Sequence, residues 1–140
     1  MPARGEPSLR LLHPASGRVL AARLERPRTF VGRGLGLMFR RTLPAGTGMW
    51  IAPCNGIHTF FMRFPIDVVF MDRRQRVVRV RPDLRSWRMV PLVLRAHSVV
   101  ELPAGTLEGV PLPPGEQLAV EHAPKGISSP RPRGEVGGGS

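Results

Sequence analysis

Short apolar runs, cut every few residues by Pro, Gly or charge, dominate the pattern of this chain. SLRLLH and RVLAARLE flank Pro14-Ala15-Ser16-Gly17, and this arrangement predicts a hairpin over 8–24. Arg26-Pro27-Arg28 breaks the pattern, after which Thr29 can cap a short helix over about 30–40. Gly32, Gly34 and Gly36 weaken that helix, each by about 1 kcal/mol relative to Ala, so tertiary contact through Phe30, Leu35, Leu37, Met38 and Phe39 must hold it. The glycines do not make a dinucleotide loop. Such a loop needs a strand before it and a full helix after it, whereas Arg26-Pro27 precedes and Leu43-Pro44-Ala45-Gly46 ends the helix early.

Further on, GMWIAP (48–53) reads as a buried strand, Asn55-Gly56 as a type I′ turn and IHTFFM (57–62) as the returning strand. Pro65 interrupts, and Ile66 to Asp72 is the most apolar strand. Arg73-Arg74-Gln75-Arg76 turns the chain, Val77 to Arg81 returns, and an antiparallel meander is expected. Residues 82–97 read as irregular and Arg-rich, Val99 to Leu102 as a strand, Pro103 to about Gly109 as a helical turn and Glu116 to Glu121 as the last strand. LPAGT occurs at 43–47 and again at 102–106; the flanks differ, so the pair marks two turns rather than a repeat.

The expected fold is therefore α+β and mainly β: a small, partly closed antiparallel barrel or sandwich with two short helices, at 30–40 and 104–109. The expected organisation is a single globular domain over 1–122 and a disordered Pro/Gly/Ser/Arg tail over 123–140.

Composition sharpens this picture. With 140 residues and 41% hydrophobic positions the chain can bury a core, and 16 Gly and 16 Pro argue against a helical bundle. The formal net charge is +11, nearly all from Arg, with Lys125 the only lysine. That raises nucleic acid or another polyanion as a partner, although charge bears on association and not on fold. The single cysteine, Cys54, excludes an intrachain disulfide and any multi-cysteine metal site. The start has no apolar export segment and no run has transmembrane length, so a cytoplasmic location without membrane insertion is expected.

Several segments, in order, resemble a known family: GLMFR (36–40), GMWI (48–51), CNGIHTFFMRFPIDVVFMD (54–72), Val77 to Val80, ELPAG (101–105) and PGEQL (114–118). The chain resembles the domain-of-unknown-function family one-ninety-two over about 8–121. The resemblance implies a compact β-rich α+β domain and no particular activity.

Three groups of residues could carry chemistry. Cys54, His58 and Met62 offer soft ligands, suited to a metal such as Cu(I), or a Cys–His thiol; the better-supported reading is structural, since free Cys, Met and a single His are ordinary core residues. Asp67 lies in an apolar strand, so an inward side chain must be paired or hydrogen-bonded, with Arg63 and Arg88 as candidate partners or backbone N–H groups of the 63–65 bend. A candidate ligand groove would gather His58, Arg63, Asp67, Arg88 and Glu101. The third group is the basic segment 73–95, in which Arg79, Arg81, Arg85 and Trp87 form a candidate polyanion surface, Trp87 being available for base stacking. No nucleic-acid-binding motif accompanies it. The preferred reading is a non-enzymatic module binding a small molecule or a protein, with no cofactor. The alternatives are polyanion binding through 73–95, and a metal- or thiol-dependent enzyme using Cys54, His58 and Asp67.

Overall fold

A computed structural model describes residues 8–26, 43–58 and 64–124. The first hairpin forms as expected: β1 (Leu9–His13) and β2 (Arg18–Glu25) pair antiparallel across a turn in which Gly17 takes φ +74°. The strands β3 (Thr47–Ile51), β5 (Ile66–Met71), β6 (Val77–Leu84), β8 (Ser98–Pro103) and β9 (Ala119–His122) complete a seven-stranded sheet in the order β6-β5-β8-β3-β2-β1-β9. β4 (Ile57–His58) and β7 (Met89–Val90) form a separate two-stranded ribbon.

Two expectations change. Asn55-Gly56 does not join a hairpin: β3 pairs with β2, in parallel, and with β8, while β4 pairs with β7. The turn signal loses to tertiary contact, because Cys54 N–H donates to His97 O at 2.8 Å and Asn55 O accepts from Val93 N–H at 2.7 Å. The helix expected at 104–109 is a run of turns, closed by Thr106 N–H to Pro103 O, Glu108 N–H to Gly105 O and Val110 N–H to Leu107 O. Gly105 and Gly109 at φ +92° and +75° stop helical propagation. The helix expected at 30–40 lies outside the described residues, and no helix occurs among those described. The fold among the described residues is thus mainly β.

The two LPAGT copies build the same device. Thr47 and Thr106 each donate a backbone N–H and a hydroxyl to the carbonyl of Pro44 and Pro103 respectively, with Gly46 and Gly105 at positive φ two residues after the proline. That is type II turn geometry, which requires φ > 0 at its third residue.

The sheet curls into a half-barrel and carries apolar residues on both faces. One cluster takes Leu11, Leu24, Val69, Met71, Val100 and Leu102 together with Leu107, Val110 and Leu118. The other takes Met49, Ile51, Ile66, Val68, Phe70 and Val99, covered by Leu84, Val90 and Val93. All six residues of β5 are buried, because the period of two sends alternate side chains into each cluster. The two edges of the sheet approach where Arg76 bridges Gln117, and Val77 N–H, Gly115 N–H and Leu118 N–H bond across the same seam.

Candidate functional site

Asp67 sits where β5 and β6 slip register: Ile66 faces Leu84 and Val68 faces Arg81, so Pro82 and Asp83 together oppose one residue. The bulge leaves an N–H without a ladder partner, and Asp67 takes it. Its carboxylate, 1% exposed, accepts Asp83 N–H at 2.8 Å and Leu107 N–H at 2.9 Å. The tie runs to β6 and to the turns after β8, rather than to the 63–65 bend.

Glu101 has the opposite environment. It lies on β8 opposite Met49 and Val68, 6% exposed, and its Oε2 has no hydrogen-bond partner. Burial pushes its carboxyl from 4.5 up to about 7, since nothing compensates the charge that leaves water. Asp67 pairs across the sheet with Leu102, a member of the first cluster, whereas Glu101 pairs with Val68 of the second. The two carboxyls therefore project to opposite faces, and no single groove holds both. Of the other groove candidates, Arg88 is exposed, His58 is described through its backbone pairing with Met89, and Arg63 lies outside the described residues.

The Cys54 thiol donates to Gly56 O at 3.0 Å. Met62 and the His58 side chain lie outside the described residues. Among the described residues no three His, Cys, Asp or Glu side chains group to hold a metal.

Sequence reasoning missed a polar line at the first hairpin. His13, buried, places Nδ1 2.7 Å from Ser16 Oγ and Nε2 2.5 Å from Glu116 Oε2. Nucleophile, base and carboxylate stand in the order of a hydrolase relay. Two backbone donors of the same turn are engaged: Gly17 N–H donates to His13 O, and Arg18 N–H donates to Ser16 Oγ itself. The line ties the β1–β2 turn to the 113–116 turn. No spacing signal could have found it, because His13 and Glu116 are 103 residues apart.

The basic segment also lines a shallow, open hollow, apart from Arg79, Arg81, Arg85 and Trp87. Arg79, Arg81, Arg85 and Trp87 are exposed along β6 and the turn after it. A hollow of about 380 Å³ opens instead between the β5–β6 turn and the turn before β8, lined by Asp72, Arg73, Arg74, Arg95, Ala96 and His97. Its walls are fixed: Asp72 Oδ1 accepts the N–H groups of Arg74 and Arg76, and His97 N–H donates to Met71 O at 2.7 Å. Arg95 adopts φ +71°, a conformation disfavoured for a non-glycine residue. Among the described residues no ion pair engages the Arg73, Arg74 or Arg95 guanidinium groups.

The family described as DUF192, Uncharacterized ACR, matches residues 12–120. The chain belongs to this family. Relatives within it include a UPF0127 protein of Pyrococcus horikoshii, 38% identical over 87 residues that span 59% of this chain and 73% of the relative. One from Pyrococcus furiosus is 29% identical, spanning 77% of this chain and 95% of the relative. Two solved structures share the fold at 23% identity. A protein of unknown function from Novosphingobium aromaticivorans has a TM-score of 0.68, over 85% of this chain and 89% of its own. A putative transcription regulator from Sinorhizobium meliloti has a TM-score of 0.66, over 81% and 92%.

Proposed function

We propose that this member of the DUF192 family is a non-enzymatic binding module for a small phosphate-bearing ligand, held in the hollow between the β5–β6 turn and the turn before β8. The observation that carries this reading is the lining: three arginines outside any described ion pair, and His97, around about 380 Å³. Guanidinium forks match phosphate oxygens two at a time, and a volume in the range of roughly 300–1,000 Å³ suits a small ligand. Asp72 offsets only one of the three arginine charges, and one of its oxygens is taken by two backbone N–H groups.

The test is a calorimetric titration with inorganic phosphate and pyrophosphate. The native protein should bind pyrophosphate more tightly, and Arg73→Ala/Arg74→Ala/Arg95→Ala together should weaken it at least tenfold. Arg79→Ala/Arg81→Ala, on the exposed edge strand, should leave it within about twofold, since surface charges there are solvent-screened. Equal losses from both sets would replace the hollow with a diffuse polyanion surface along 73–95.

A further inference from the structure

Four of the five exposed large apolar side chains among the described residues fall within eight positions: Trp87 at 58%, Met89 at 57%, Leu92 at 63% and Leu94 at 74%. They are held outward by the fold. Val90 and Val93, between them, are buried in the second cluster, β7 pairs with β4, and Val93 N–H bonds Asn55 O. Anchors and exposed residues alternate, so the backbone is fixed while the apolar side chains face water. Arginines accompany them: Arg85 precedes the set, Arg88 stands between Trp87 and Met89, and Arg95, which also lines the hollow, follows.

We infer that residues 85–95 are a docking surface for an anionic phospholipid bilayer, with Trp87, Met89, Leu92 and Leu94 entering the interfacial layer and these arginines at phosphate level. This rests on the phosphate-binding reading only in that Arg95 joins the two surfaces. Isolated apolar side chains spaced among arginines do not form a groove that shapes a protein ligand. They fit a medium that is apolar beneath, anionic at its surface and without fixed shape. Nucleic acid would employ the arginines and Trp87 and leave Met89, Leu92 and Leu94 in water. The net charge of +11 draws the molecule to the same negative surface. The association inferred is peripheral; no helix among the described residues is long and apolar enough to cross a membrane.

The test is co-sedimentation of the full chain at physiological salt with vesicles of phosphatidylcholine alone and of phosphatidylcholine with an equal part of phosphatidylglycerol. Binding to the mixed vesicles should be at least tenfold tighter. It should bring a blue shift of tryptophan emission that Trp87→Phe abolishes, Trp50 being the other tryptophan. Leu92→Ser/Leu94→Ser should weaken vesicle binding at least tenfold and leave pyrophosphate binding unchanged; both side chains are exposed, so the fold should tolerate the change. Undiminished vesicle binding by that variant overturns the inference, as does a single-stranded oligonucleotide or an acidic protein held through the same two leucines. Pyrophosphate binding without vesicle binding overturns this inference alone. Vesicle binding without pyrophosphate binding overturns the hollow alone.

Discussion

At the residue scale, the two buried carboxyls show how partners decide what burial costs. Asp67 accepts two N–H groups that no other acceptor serves, so Asp67→Ala orphans both. A buried donor left unmade costs about 1–3 kcal/mol; the Leu107 bond is buried and the Asp83 bond part-buried, so the loss should be at least about 1–3 kcal/mol in a urea denaturation series. Asp72→Ala, whose N–H partners lie at an exposed turn where water can replace the carboxylate, should cost under about 1 kcal/mol. Comparable small losses at both positions would remove Asp67 from its structural role. Glu101 behaves inversely. Below about pH 4.5 its carboxyl is neutral in the folded and unfolded chain alike. Between 4.5 and about 7 the unfolded chain releases the proton and the folded one retains it, so stability falls as pH rises, and above about 7 the loss is complete. At about 1.4 kcal/mol per pKa unit, the difference between 4.5 and about 7 is roughly 3 kcal/mol. Glu101→Gln should match the native protein at pH 4 and exceed its stability by up to that amount at pH 8. A stability difference that stays constant across pH would show that Glu101 ionises normally in the fold.

At the element scale, the β4–β7 ribbon depends on a close approach. A Cβ on Gly56 would lie 2.9 Å from Val90 O and 3.1 Å from the Pro91 carbonyl. Those are backbone atoms and cannot rotate away, so Gly56→Ala should cost about 1–3 kcal/mol and raise hydrogen exchange at Val93, whose N–H bonds Asn55 O. A variant with native exchange there would mean that the ribbon shifts freely. The contact also shows where sequence pattern is legible and where it is not. The β1–β2 hairpin and the β5–β6 pair were readable, since each joins neighbouring runs through a local turn. Asn55-Gly56 carried an equally strong local signal, yet its glycine serves packing against β7, some 35 residues on. The parallel β2–β3 pair and the line from His13 to Glu116 are likewise long-range, and no local period encodes them. Asp67 was legible as a buried group needing partners, because its apolar neighbours required it. The bulge that supplies one of them was not, because Pro82-Asp83 looks like the end of a strand rather than an insertion within one. The arginines of 73–95 were visible as charge, but which of them face a hollow depends on the β5–β6 turn meeting the turn before β8.

At the scale of the whole molecule, the two edges of the half-barrel are tied by a seam of backbone bonds to which two glutamine side chains add. Gln75 Oε1 accepts Val120 N–H at 2.9 Å, and Gln117 Nε2 donates across the seam to Arg74 O at 2.7 Å. The first cluster lies beneath, with Val77 and Leu118 buried on either side of the seam. The centre of the sheet does not depend on it: β8 lies between β5 and β3, with both ladders intact and buried. Stability in such a structure is graded, with edges opening at lower free energy than central strands. Gln75→Ala should therefore speed exchange at Val120 and Leu118 by about tenfold, equivalent to roughly 1.4 kcal/mol of local opening. Val100, at the centre of β8, should exchange as before. The same seam sets the β5–β6 turn against the 115–118 segment, and that turn supplies Arg73 and Arg74 to the hollow. Pyrophosphate affinity should accordingly fall with the opening of the seam while the melting temperature changes by only a few degrees. Uniform acceleration across β8 as well as β9 would show instead that the sheet opens as one unit and that the seam is no separate element.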